Sequence, residues 1–162
     1  MSPSHSEDPG VLERDRAPVV LCVDDEVAVL SSLRRSLRGE PYEVVTATSA
    51  AQALASLRTR PVHVVIADER MPDMLGSELL AEVRGRWPSI GCVILTGYPG
   101  HPVMSRGFRA GVDFLLHKPW DDRDLRKTVR KLLSDSERSR PERGGGDAAD
   151  PDVDLGGEGG YP

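Results

Sequence analysis

Two rhythms of apolar and polar residues run along this chain, and the change from one to the other marks out its elements. Short unbroken runs rich in Val, Ile and Leu occur at about 18–24, 42–47, 62–67, 90–95 and 112–117. Runs of that length and composition suit strands buried on both faces of a parallel sheet. Between them, apolar residues recur every three or four positions. The first such segment, about 26–38, sets Val27, Leu30, Leu33 and Leu37 on one face and Arg34, Arg35 and Arg38 on the other. A second follows Ser49, a natural N-cap, with Ala50, Ala53, Leu54 and Leu57 inward. The third carries Leu79, Leu80, Val83 and Trp87. The last begins at an Asp121 cap, buries Leu125, Val129, Leu132 and Leu133, and exposes Arg123, Arg126, Lys127, Arg130 and Lys131. His101 to Gly111 is the poorest helix candidate, since Pro102 and Gly107 interrupt it and little periodicity remains. Strict alternation with short connections forces parallel strands and right-handed crossovers. The pattern predicts a three-layer, doubly wound α/β domain over residues 18–134.

Composition shifts sharply at both ends of that domain. Residues 1–17 are almost free of apolar side chains, and residues 135–162 hold seven glycines and three prolines. Neither stretch can bury enough apolar surface to order itself, so both are expected to be disordered tails. The formal net charge of −5 also divides there. Residues 18–134 carry 16 basic against 14 acidic side chains, whereas 135–162 carry 3 against 8. A near-neutral domain gives no electrostatic reason to expect a nucleic-acid partner. No apolar run approaches a membrane span and the N-terminus lacks a signal-peptide core, so no membrane is expected and a cytoplasmic location follows. Cys22 and Cys92 sit inside apolar strand runs, where a cysteine is a small core hydrophobe; on non-neighbouring strands they cannot form a disulfide.

The chemistry is concentrated at the strand ends. Asp24 and Asp25 follow the first run, Asp68 the third, Thr96 the fourth and Lys118 the fifth. In an open α/β sheet the carboxyl ends of the strands form the ligand-binding rim. Three carboxylates brought to one rim are costly unless something positive binds, and a hard divalent cation such as Mg²⁺ suits such oxygens. An aspartate placed there can attack phosphorus and form an aspartyl-phosphate, whose oxygens need donors. Thr96 offers a hydroxyl and Lys118 a point charge.

The acidic pair in VDDE, the aspartate in IADERMPDMLG, the LTG triplet and the HKP triplet, in that order, resemble the receiver domains of two-component response regulators across residues 18–134. The resemblance implies a flavodoxin-like fold with strand order 2-1-3-4-5. It implies Asp68 as phosphoacceptor, Asp24, Asp25, Asp68 and the Arg70 backbone carbonyl as Mg²⁺ ligands, and Thr96 and Lys118 as the groups that read the phosphoryl group. It further implies a cis peptide at Lys118-Pro119. Arg70 and Tyr98 occupy positions that in the family flank the phosphoryl group and vary with its lifetime. One departure stands out: the family's switch aromatic, three positions before the lysine, is Leu115 here, while Phe114 falls on the opposite face of the strand.

The expected function is phosphorelay signalling by a stand-alone receiver that takes its phosphoryl group from a sensor histidine kinase or a histidine phosphotransfer protein. Such a protein is not a conventional enzyme, although it catalyses its own phosphorylation and dephosphorylation. Output then runs through an unknown downstream effector protein or a phosphorylation-dependent homodimer. A binding-only pseudo-receiver is the alternative, and its usual mark, loss of a site residue, is absent. A phosphatase using an aspartyl-phosphate needs a second acid two residues past the nucleophile, where this chain has Arg70, and a cap domain.

Overall fold

The structure, a computed structural model, describes residues 16–97 and 111–139. In chain order the elements are β1 (Val19–Val23), α1 (Val27–Ser36), β2 (Glu43–Ala47), α2 (Ala50–Thr59), β3 (Val64–Asp68), α3 (Gly76–Arg86), β4 (Gly91–Thr96), β5 (Phe114–His117) and α4 (Asp122–Ser139). The five strands are parallel and ordered β2-β1-β3-β4-β5, the expected flavodoxin-like arrangement. The helix expected between His101 and Gly111 lies outside the described residues, as do Tyr98 and His101.

Side-chain alternation divides the sheet into two cores. Val19, Leu21 and Val23 of β1 pack with Ala50, Ala53 and Leu57 of α2 and Leu79, Leu80 and Val83 of α3. Val20 and Cys22 pack with Leu30 and Leu33 of α1 and Leu125, Val129 and Leu132 of α4. Among the described residues each face of the sheet is thus covered by two amphipathic helices, which is why its inner strands read as continuous apolar runs. Cys22 and Cys92 are buried free thiols on β1 and β4, with β3 between them and on opposite faces of the sheet. Phe114 and Leu115 likewise face opposite cores.

Local chemistry sets the helix starts. The Ser49 side chain accepts from Gln52 N at 3.1 Å, and Asp121 Oδ1 accepts from Arg123 N and Asp124 N at 2.8 and 3.1 Å. Three expectations change. Val27, placed on the inner face by periodicity, is 65 % exposed, because α1 begins at the rim, above the sheet's reach. Asp68 and Thr96 are the last residues of their strands rather than the first beyond them. Helix α4 runs to Ser139, so residues 135–139, expected in the tail, are helical, carried by the same amphipathic pattern. Among the described residues no helix is long and apolar enough to cross a membrane.

Candidate functional site

Register brings the polar strand ends level. Val23 pairs with Ala67, Asp68 with Leu95, and Thr96 with His117. The ladder continues one step further: Asp24 N donates to Ala47 O at 3.1 Å, Glu69 N to Leu95 O at 3.1 Å and Lys118 N to Thr96 O at 2.7 Å. Residues more than forty positions apart therefore meet at one edge because their strands stop together.

At that edge one oxygen each from Asp24, Asp25 and Asp68 lies within 4.8 Å of the others. Asp24 is 1 % exposed, Asp25 is open to solvent and Asp68 is half-buried. The Lys118 ammonium reaches into the cluster, 2.8 Å from Asp24 Oδ2 and 3.1 Å from Asp68 Oδ1. The other Asp24 oxygen, Oδ1, accepts from Glu26 N at 2.9 Å at the start of α1, so this carboxylate serves the helix end and the cluster at once. Thr96 is buried at the end of β4, and Arg70 is exposed two residues beyond Asp68. The peptide bond Lys118-Pro119 is cis.

The electrostatics follow from this packing. Burial pushes the Asp68 carboxyl above the usual range; the hydrogen bond and charge of Lys118 pull it down, and Asp24 and Asp25 push it up again. For Lys118 burial is the largest single influence and disfavours its charge, but the hydrogen bonds and charges of Asp24 and Asp68 together hold the ammonium above its ordinary value. Three carboxylates against one ammonium leave an excess of negative charge, and all the donors are hard oxygens. The set fits a small divalent cation such as Mg²⁺.

Sequence reasoning missed the loop that supports Asp68. Glu69, only 4 % exposed, turns its carboxylate into the start of α3, where Oε2 accepts from Ser77 N at 3.0 Å and Oε1 from Ser77 Oγ at 2.7 Å. Gly76 N donates to Glu69 O at 3.0 Å. A Cβ on Gly76 would collide with the backbone carbonyl of Asp68, so only glycine allows α3 to start this close to that strand end. The one hint in the sequence was a Gly–Ser pair opening a helix, which reads as ordinary start chemistry.

Comparison with known proteins agrees with the geometry. The family model described as the response regulator receiver domain matches residues 20–130. The hydrogenase transcriptional regulatory protein HoxA of Cupriavidus necator is 41% identical over 120 residues, covering 74% of this chain and 25% of that protein. The transcriptional regulatory protein GlrR of Escherichia coli is 36% identical over 124 residues, covering 76% of this chain and 28% of its own length. The chain thus spans about a quarter of the length of these curated relatives. Among solved structures, the signal receiver domain of an HD domain-containing protein from Pseudomonas fluorescens superposes with a TM-score of 0.73 at 33% identity, over 76% of this chain and 99% of that one. A CheY-like receiver domain from Methanospirillum hungatei gives 0.71 at 31% identity, over 75% and 98%. With a receiver's strand order, its level strand ends and a family match over most of its length, the chain belongs to the response regulator receiver domain family.

Proposed function

We propose that this chain accepts a phosphoryl group on Asp68, in a Mg²⁺-dependent transfer from a phosphohistidine of a sensor kinase or phosphotransfer protein. The observation that carries the reading is the Lys118 ammonium, 2.8 Å from Asp24 and 3.1 Å from Asp68 inside a cluster of three carboxylates. In the transfer an Asp68 carboxylate oxygen forms a bond to phosphorus while the P–N bond to the donor imidazole breaks, its electron pair staying on nitrogen. Asp24, Asp25, Asp68 and the Arg70 carbonyl would hold Mg²⁺, which when bound supplies positive charge against the carboxylates and the phosphoryl oxygens. Lys118 offsets charge on the transferred group, and Thr96 donates its hydroxyl to a phosphoryl oxygen. Loss of the group is a hydrolysis: water attacks phosphorus, the P–O bond to Asp68 breaks with its electron pair staying on the carboxylate, and inorganic phosphate leaves.

Because Thr96 and Lys118 stand at the ends of the paired strands β4 and β5, the phosphoryl group draws on both, and β5 leads on into α4. The phosphorylated form is read there, as a shift between two surfaces, by a downstream protein or a second copy of the chain. Leu115 in place of an aromatic means that this shift does not use a rotating ring at that position.

Intact-mass measurement after incubation with acetyl phosphate tests the reading. One added phosphoryl group is expected, requiring both Mg²⁺ and Asp68 and absent in Asp68→Asn. If neither acetyl phosphate nor a phosphorylated kinase modifies the chain, the binding-only role replaces this one.

A further inference from the structure

The loop after Asp68 is tied down at a second point, one that the transfer chemistry does not use. Residues 69–75 connect β3 to α3, and Arg70, whose carbonyl belongs to the Mg²⁺ ligand set proposed above, stands near their start. Glu69 fixes the near end of this loop to the start of α3. Farther along, Asp73 reaches out of the loop: its Oδ2 accepts from Ala51 N at 3.2 Å, in the first turn of α2. Between the two acids, Met71 is buried in the same apolar cluster as Ala47, Ala50 and Ala53. Asp73 is exposed and is not a member of the carboxylate cluster itself.

The turn that Asp73 reaches is a firm anchor. Thr48 N and Thr48 Oγ1 both donate to Gln52 Oε1 at 2.9 Å, and the Ser49 hydroxyl accepts from Gln52 N at 3.1 Å. The same turn meets the acidic pair, because Asp24 N donates to Ala47 O at 3.1 Å. Residues 47–51 therefore bracket the two loops that bring the ligands, Asp24 and Asp25 after β1 and Asp68 and Arg70 at the end of β3. An ion shared by two loops binds more tightly when their separation is fixed beforehand, since less ordering remains to be done on binding. A carboxylate suits the anchoring contact. The first turn of a helix has N–H groups without intrahelical partners and a partial positive charge, and an acidic side chain answers both. Ser49 takes Gln52 N, which leaves Ala51 N for Asp73.

We infer that Asp73 is a positioning residue for the Mg²⁺ site: by accepting from Ala51 N it fixes the loop that carries the Arg70 carbonyl relative to Asp24 and Asp25. Its working part is the acceptor oxygen rather than the negative charge. The inference rests on the Mg²⁺-dependent transfer proposed above.

Mg²⁺ titrations of the full chain, followed through the amide NMR signals of Asp25 and Asp68, test it in the parent, Asp73→Ala and Asp73→Asn. Asp73→Ala should bind Mg²⁺ about three- to tenfold more weakly, less than the loss typical of a group bonded directly to a ligand, because Asp73 acts from three residues beyond Arg70. Asp73→Asn keeps an oxygen that can accept from Ala51 N and should bind within about twofold of the parent. Intact-mass time courses with acetyl phosphate give the second readout: Asp73→Ala should be slow at limiting Mg²⁺ and regain the parent's rate at saturating Mg²⁺. Equal Mg²⁺ affinity in all three proteins would overturn the inference and leave the transfer chemistry standing. Equal weakening in Asp73→Ala and Asp73→Asn would overturn it too, since the lost charge alone then accounts for the change. So would a rate deficit in Asp73→Ala that persists at saturating Mg²⁺. If the parent itself takes up no Mg²⁺, the inference fails together with the reading it rests on.

Discussion

Asp68 is held in a conflict of charges, and its stability consequences have a definite sign. Its carboxyl is raised by burial and by its acidic neighbours more than Lys118 lowers it. A carboxyl so raised binds its proton more tightly in the folded chain. Stability therefore falls as pH rises from the ordinary carboxylate value, about 4, through the folded one. Asp68→Asn removes that loss: in urea titrations without divalent cations the variant should outlast the parent near neutral pH, and the gap should close as pH falls toward about 4. Added Mg²⁺ should narrow the same gap by stabilising the parent alone. Glu40 acts with the opposite sign. Its hydrogen bond from Arg130 lowers its carboxyl, so its contribution is present above the ordinary value and is lost as pH falls through the folded one, in both proteins alike. Gly76 is constrained by contact rather than charge. Gly76→Ala must push α3 away from the Asp68 carbonyl, and we expect about 1–3 kcal/mol of lost stability by denaturant titration together with slower phosphorylation.

Among the elements, the connection from β3 to α3 is held by hydrogen bonds to both the backbone and the side chain of Glu69. The Glu69 carboxylate takes both the backbone N–H and the hydroxyl of Ser77, and the Glu69 carbonyl takes Gly76 N–H. An anion at a helix start is favoured by the dipole as well as by these donors. Glu69→Ala leaves the Ser77 donors buried and unpartnered, and should cost about 1–3 kcal/mol in chemical denaturation. The expected order is Glu69→Gln milder than Glu69→Ala, because the amide oxygen still accepts from Ser77. On the far side of the sheet, α1 and α4 are joined by their ends: Ser36 Oγ donates to Asp122 at 2.6 Å, Trp120 Nε1 donates to Ser36 Oγ at 3.0 Å, and Arg126 donates to Ser36 O at 3.0 Å. This joint begins two residues after Lys118.

For the whole molecule, that proximity links the acidic cluster to the outer helices. Trp120 reports on it: in a Trp87→Phe background its fluorescence should change on adding Mg²⁺ and again with beryllofluoride. An unchanged signal in both titrations would mean that events at the carboxylates do not reach the joint. Much of this architecture was legible in the linear pattern. The five apolar runs, the caps at Ser49 and Asp121, and the acid, hydroxyl and ammonium at four strand ends follow from local periodicity and backbone chemistry, so short stretches of chain already contain them. Strand order followed from family resemblance, and the level register that gathers those groups within hydrogen-bonding reach came from the sheet. Val27 was misread because periodicity assigns a face and takes no account of where the sheet beneath that face ends. Glu69 was missed because its partner, Ser77, is reached only when the loop folds back on α3. What the sequence determined by itself was which elements form and which reactive groups each carries, since spacing along one chain decides both. What only the tertiary structure decided was burial at element ends and the backbone contacts between α3 and β3, because these depend on surfaces that neighbouring segments supply.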